Sequence, residues 1–181
     1  MTRALRRGER VVLTDLTAAD RDEFLAAVRR STALHRPWAS PPTDREAFAR
    51  YVARDPSTDR RFAVRLTADR ELAGLYSLSQ IFRGAFRNAY LGYYAFVPHA
   101  GQGYMREGLS LVLGFAFDTM HLHRLEANIQ PGNVASISLV RGAGFRYEGV
   151  SPRYLEVGGS WRDHERWAIT VEDLAKRLRP S

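Results

Sequence analysis

The segment from Ala95 to Met120 constrains the fold more than any other. Ala95-Phe96-Val97 reads as the end of a strand. It runs into Pro98-His99-Ala100-Gly101-Gln102-Gly103-Tyr104, a loop with two glycines one residue apart. Leu109, Val112, Leu113, Ala116, Phe117 and Met120 then recur at i, i+3, i+4, i+7, i+8 and i+11, which is one apolar stripe on a helix. A stripe of that width needs a second layer over it, and the preceding strand belongs to a sheet that supplies one. The start of such a helix is an anion site. Its first N–H groups have no partner inside the helix, and the helix dipole adds partial positive charge. Gly101 and Gly103 let the backbone come close to a pyrophosphate. The loop is not a Walker motif, because no Gly-Lys-Ser/Thr follows. It is not the dinucleotide fingerprint either, because the third glycine, Gly108, stands two places too late.

The rest of the chain builds around this unit. Arg10–Leu16 alternates as a strand, and Thr17 can cap a helix through about Arg30 that carries Phe24, Leu25 and Val28 on one face. His35-Arg36-Pro37-Trp38 and Pro41-Pro42 form a loop. Thr43-Asp44-Arg45-Glu46 is a capping box that opens a second helix, through about Arg54, with Phe48, Tyr51 and Val52. Strands follow at Arg61–Thr67, Leu72–Ile81 and Ala89–Val97, separated by turns at Ala68–Glu71 and Arg83–Asn88. Beyond the striped helix, Arg124–Ile129 is a strand. Pro131-Gly132-Asn133 caps a helix ending at Gly142 or Gly144, and Tyr147–Val157 with Trp161–Val171 forms a hairpin. The order β-α-α-β-β-β-α-β-α-β-β predicts a mixed sheet with helices packed on it.

Composition closes off other classes. The 181 residues suit one domain over the whole chain. There is no cysteine, so a disulfide scaffold, a thiolate metal site and a cysteine nucleophile are excluded. The histidines His99, His121, His123 and His164 show no metal spacing, no metal is expected, and they read as structural. No apolar run is long enough to span a bilayer, and Met1 to Arg10 lacks a signal-peptide core, so a cytoplasmic location without a membrane partner is expected. The net charge is +7, and Lys176 is the only lysine. That excess suits an anionic partner such as a phosphate-bearing cofactor, or reflects coding bias. The arginines are spread along the chain without a nucleic-acid motif, so any nucleic-acid contact is expected only indirectly, through a ribonucleoprotein.

A second local signal is Asn133-Val134-Ala135-Ser136 with Gly144-Phe145 and Glu148-Gly149 downstream. Locally, Asn133 is an N-cap and Gly144 a C-cap. Taken with the glycine loop and the intervening strand, these residues mean more. The chain resembles a GNAT-superfamily N-acetyltransferase, of the RimJ/RimL type that acetylates N-termini of ribosomal proteins. His99 to Glu107 resembles that group's acetyl-CoA pyrophosphate loop, and His121 to Asn128 its next strand. Asn133 to Gly149 resembles its second CoA motif, Trp161-Arg162-Asp163-His164 its closing strand, and Arg36-Pro37-Trp38 its early loop. There are departures. Ala100 and Met105 stand where the general pattern has Gln or Arg and Gly or Ala. Val140 stands where many members carry a general-acid tyrosine.

The resemblance implies an α/β (α+β mixed) fold whose mixed, mostly antiparallel sheet is splayed at the cofactor site, with helices on both faces. It implies direct transfer of acetyl from acetyl-CoA to an amine. Cofactor binding is then expected from backbone groups of Phe96 and Val97, from Gly101, Gln102, Gly103, Tyr104, Met105 and Arg106 at the pyrophosphate, and from Asn133 and Ser136 along the pantetheine arm. An α-amine titrates near ~7.7–8.0 and a lysine near ~10.4, so an α-amine needs only a weak base. No strong base stands out, which favours the N-terminus of a protein or peptide, ribosomal proteins included, as acceptor and partner. Glu107, Glu126 and Glu156 are candidate bases, with Glu126 preferred as a catalytic residue. Ser136 is the expected proton donor to the departing thiolate, and Trp38 and Arg83 are expected to wall the acceptor groove. Two other readings stay open from the residues: acetylation of a small-molecule amine such as an antibiotic, and a non-catalytic acyl-CoA sensor or RNA-associated protein.

Overall fold

A computed structural model describes residues 3–178. Eight strands form one sheet: β1 (Ala4–Arg7), β2 (Val11–Asp15), β3 (Arg60–Leu66), β4 (Leu72–Ser79), β5 (Asn88–Ala95), β6 (Arg124–Ile129), β7 (Arg146–Val157) and β8 (Ser160–Thr170). Their spatial order is β1-β2-β3-β4-β5-β6-β8-β7. Every neighbouring pair is antiparallel except β5 and β6. That parallel pair needs a long crossover. The crossover is the striped helix α4 (Tyr104–Gly114), extended by a π-helical turn at Phe115–Thr119.

Helices cover both faces. On one face lie α1 (Arg21–Arg30), the single-turn α2 (Thr32–His35) and α3 (Arg45–Val52). Phe24, Val28 and Phe48 pack there against Leu75 and Phe96 of the sheet side. On the other face, Leu109, Val112, Leu113 and Ala116 of the α4 stripe meet Leu13, Phe62, Val64 and Tyr76. The helix α5 (Val134–Ala143) adds Val140 and Ala143 to the same core. No helix among the described residues is long and apolar enough to cross a membrane.

Several expectations are refined. The Thr17 segment opens as a short 3-10 turn at Ala18–Asp20. The Asp20 carboxylate accepts from the Thr17 N–H at 2.6 Å and from its hydroxyl at 2.9 Å. The cap of α3 is Asp44 rather than Thr43, with Oδ1 accepting from the Ala47 N–H at 2.8 Å. Two elements were not foreseen. The strand β1 lies at the sheet edge, and its Ala-Leu-Arg-Arg sequence has no apolar alternation. The helix α6 (Val171–Leu178) follows β8 directly and begins at Val171, the last residue that the sequence assigns to the hairpin. Several arginines are committed to ion pairs within the fold or at its surface. Arg65 bridges Asp20 and Glu23, Arg124 bridges Glu126 and Glu148, and Arg6 meets Asp118.

Candidate functional site

The parallel ladder between β5 and β6 is short. It pairs Asn88 with Arg124, Ala89 with Leu125 and Tyr90 with Glu126, and no further. Beyond Tyr90 the two strands separate. The wedge between them opens into a cavity of about 500 Å³, lined from β5, the start of α4, the end of β6, the start of α5, the segment after α2, and β8.

Strand alternation gives this cavity two sides. Leu91 and Tyr93 belong to the core under α4 and α5, whereas Tyr94 and Phe96 pack with the core under α1 and α3. On β6 and β8 the same alternation puts Ala127, Ile129, Trp167 and Ile169 on the α4 side. Asn128 and His164 therefore fall on the opposite side, and both line the cavity.

The α4 side carries two helix starts. Gly103 is the N-cap of α4 with φ of 86°, and no side chain among the described residues caps it. The N–H groups of Tyr104, Met105 and Arg106 are thus left for an anion. Gly101 has φ of 81°, and a Cβ there would meet nothing within 4 Å, so open space lies against this backbone. Arg106 is exposed at the cavity and makes no ion pair among the described residues. In contrast, α5 is capped: the Asn133 Oδ1 accepts from the Ser136 N–H at 3.1 Å. The Ser136 hydroxyl forms a hydrogen bond with the Tyr93 hydroxyl. Burial pushes the Tyr93 phenol up to about 12, against the weaker effect of the Ser136 bond, so it stays protonated at neutral pH.

The glycine loop is held from a distance in sequence. The Arg10 guanidinium donates to the Gln102 carbonyl at 3.1 Å and to the Glu107 carboxylate at 3.2 Å, and it lies over the Tyr104 ring. Glu107 also accepts from the Arg10 and Val11 N–H groups at 2.8 and 3.2 Å. Burial opposes its charge, but these donors outweigh that and hold the carboxyl below its ordinary range. Glu107 is therefore a bolt between α4 and β2 and is not free to act as a base. The Tyr76 hydroxyl donates to the Met105 carbonyl at 2.7 Å, and a Cβ at Gly74 would collide with the Met105 sulfur.

Of the ten residues expected to hold the cofactor, Gly101, Gly103, Met105, Arg106, Asn133 and Ser136 line the cavity. The other four build its frame. Phe96 is fully buried, and its N–H donates to the Ala73 carbonyl at 3.0 Å. The Val97 N–H donates to the Ser31 hydroxyl at 3.0 Å. These two donors, expected for the pantetheine, are already engaged. Alternation along β5 turns the Tyr93 and Ala95 N–H groups toward the open side instead. The Gln102 side chain donates to the Pro98 carbonyl at 2.8 Å, and Tyr104 packs under Arg10.

The remaining expectations divide in the same way. Trp38 lines the cavity, its carbonyl accepts from the Gln130 amide at 3.2 Å, and its ring faces Gly132. Arg83 is not brought to the cavity. Its guanidinium donates to the Met120 carbonyl at 2.7 Å, which lies past the far end of α4. The helical run from Tyr104 to Met120 puts ~24 Å between that carbonyl and the glycine loop. Glu126 is not among the cavity-lining residues. It is buried on the last rung that β6 shares with β5 and accepts from the Arg124 guanidinium at 3.1 Å. Glu156 is exposed near the tip of the β7–β8 hairpin.

Sequence reasoning missed Tyr93, His35, Asn128 and His164. His35 donates from Nε2 to the Ala95 carbonyl at 2.9 Å, while its buried Nδ1 has no partner among the described residues. Burial lowers its pKa, against that backbone bond, so the ring is neutral near pH 7. The buried Asn128 Oδ1 also lacks a partner. His164 is 4% exposed, and its Nδ1 lies 2.9 Å from the Arg162 carbonyl. Only the period-2 alternation of Arg162 to Ile169 pointed to the face on which His164 sits.

Comparison with known proteins agrees with this geometry. Residues 10–146 match the family described as Acetyltransferase (GNAT) domain. A Bacillus subtilis (strain 168) protein named probable N-acetyltransferase YjcK is 38% identical over 112 residues, 62% of this chain and 62% of its own length. The Escherichia coli (strain K12) [Ribosomal protein uS5]-alanine N-acetyltransferase is 37% identical over 105 residues, 58% of this chain and 54% of its own. The matched stretches thus span less than two thirds of both relatives. Among solved structures, Mycobacterium smegmatis RimJ in complex with CoA-disulfide superposes with a TM-score of 0.79 at 28% identity, covering 94% of this chain and 85% of that one.

Proposed function

The chain belongs to the acetyltransferase (GNAT) domain family, and from that premise we propose that it transfers acetyl from acetyl-CoA to the N-terminal α-amine of a protein or peptide. Ribosomal proteins are the class suggested by the name of the E. coli relative. The observation that carries the acceptor reading is the lining of the cavity: among the described residues around it there is no Asp or Glu. A multiply charged amine such as a polyamine needs carboxylates to replace its water. A single α-amine, half neutral near ~7.7–8.0, needs only hydrogen-bond acceptors.

The residues present fit acetyl-CoA. The uncapped α4 start, the open space at Gly101 and Arg106, without an ion pair among the described residues, suit a pyrophosphate. Asn133 keeps its amide nitrogen to donate to the pantetheine arm, while its oxygen caps α5. The edge of β5 beyond Tyr90, where β6 no longer pairs with it, suits an arm lying alongside as an added strand. When bound, acetyl-CoA supplies an acyl group on a thioester, with a leaving thiol that titrates near ~8.5. The Ser136 hydroxyl, backed by the Tyr93 phenol, gives a proton at the sulfur. Trp38 packs against the first side chain of the peptide and keeps water from the amine.

The experiment is mass spectrometry of protein N-termini in cells with and without the gene. Purified protein is assayed in parallel with acetyl-CoA against N-terminal peptides, polyamines and small amines. Loss of specific N-terminal acetyl groups and turnover of peptides are the expected results. Turnover of free small amines alone would replace the acceptor and leave acetyl transfer standing. No turnover of any amine, with acetyl-CoA still bound, would favour a sensor.

A further inference from the structure

We infer that His164 is the base that takes a proton from the acceptor amine. This rests on the acetyl-transfer reading above, and it reverses the structural role expected for this histidine from the sequence. A backbone carbonyl can only accept, so the Nδ1 atom facing the Arg162 carbonyl at 2.9 Å carries the ring proton. In the neutral ring, Nε2 then holds a lone pair, and among the described residues the ring's one hydrogen bond is the one at Nδ1. The residue is 4% exposed, yet it lines the cavity on the side away from α4 and α5. An immobile ring with one nitrogen fixed and the other free is what a general base requires.

The surroundings fit an amine and little else. Asn128 stands on the neighbouring strand, where it pairs with Arg166 two residues beyond His164. Its unpartnered Oδ1 is a second acceptor for an ammonium. The titratable and charged groups around His164 are few. Tyr154 of β7 stacks obliquely at 6.2 Å, Arg162 and Arg166 flank it along β8, and Glu126 on β6 is held by Arg124. His35, Tyr93, Tyr94 and Arg106 also line the cavity. No carboxylate among the lining residues competes for the proton.

The step balances as follows. An ammonium proton passes to His164 Nε2, giving imidazolium. The freed nitrogen pair forms the C–N bond at the thioester carbon, and the C–S bond breaks with its electron pair on sulfur. Sulfur takes a proton from the Ser136–Tyr93 hydroxyl pair, which is restored by the second nitrogen proton. The imidazolium then returns its proton to solvent.

The test compares wild-type protein with His164→Gln and His164→Ala, using acetyl-CoA and a short peptide with N-terminal alanine across a pH series. Calorimetric binding of acetyl-CoA reports that each variant is folded. We expect kcat/KM of His164→Gln to fall ~10²–10⁴-fold near neutral pH. The deficit should shrink above the ordinary α-amine value of ~7.7–8.0, where the substrate sheds its proton unaided. Imidazole added to His164→Ala should restore part of the rate, and acetyl-CoA affinity should not change. A variant that binds acetyl-CoA and keeps wild-type rates near neutral pH would overturn the assignment. So would a loss that is equal at every pH and indifferent to imidazole, since that describes a merely structural histidine. Failure of wild-type protein to acetylate any amine would overturn the acetyl-transfer reading and the base with it, and this shows without any variant.

Discussion

The hydroxyls of Tyr93 and Ser136 share a hydrogen bond across the seam between β5 and α5. Neither is near the other in sequence, and both face the cavity. Val140, at the position where the superfamily resemblance leads one to expect a tyrosine, is fully buried in the core. A phenol nevertheless reaches α5 from a different element, at Ser136 in its first turn.

If this pair delivers the proton to sulfur, Tyr93→Phe and Ser136→Ala should each lower kcat by ~10²-fold or more, with acetyl-CoA affinity little changed. The two losses should not add, because each removes the same relay. Burial lifts Tyr93 to about 12, so the phenol stays protonated and should put no alkaline limb on kcat below pH ~10. Steady-state kinetics over pH checks all three statements. Strictly additive losses would separate the two roles.

The cradle at α4 is tested at Gly101, where a new side chain would enter open space beside the helix start. Gly101→Val should weaken acetyl-CoA binding at least ~10-fold, equivalent to ~1.4 kcal/mol. The left-handed backbone adds ~1–2 kcal/mol of strain. Gly101→Ala measures that strain with a smaller obstruction. Equal acetyl-CoA affinity in folded Gly101→Val and wild-type protein would remove the pyrophosphate from this loop.

Glu107 should make stability depend on pH. Its folded pKa is lowered, so its contribution is fully present above the ordinary carboxylate value of ~4.3 and is lost as pH falls through the folded value. Glu107→Gln should cost ~1–2 kcal/mol near neutral pH, because the Arg10 and Val11 N–H groups lose a charged acceptor. For a chain of this size that is a drop of roughly 2–8 °C in Tm. The gap to wild type should close in acid. A gap of the same size at neutral pH and at pH ~3 would mean that the charge is not the cause.

If Trp38 walls the acceptor groove, Trp38→Ala should raise the KM for an N-terminal peptide ~10-fold while leaving the acetyl-CoA Kd in place, since the ring packs at Gly132 and not at the glycine loop. Parallel rises in both constants would mean that the indole supports the whole cavity through Gly132 and Gln130.

Features set by neighbours along the chain were legible in the sequence. The α4 stripe, the left-handed Gly101 and Gly103, the Asn133 cap and the left-handed Gly144 all follow from periodicity or from local backbone sterics. These determine that an uncapped helix start meets a glycine loop on a mixed sheet. Tertiary structure decided the rest, because the partners lie far apart in sequence and the chain alone does not say which strand face meets which helix. Arg10 reaches Glu107 only once β2 lies against α4, and Arg83 is carried to the far end of that helix by the direction of β5. Phe96 and Val97 lost their free donors to Ala73 and Ser31, which only the sheet register and the packing of α1 bring near. His164 and Asn128 look like ordinary polar residues on half-buried strands. The splay of β5 from β6 opens a cavity where both side chains point, so their chemistry emerges from the separation of two strands that pair over only three residues.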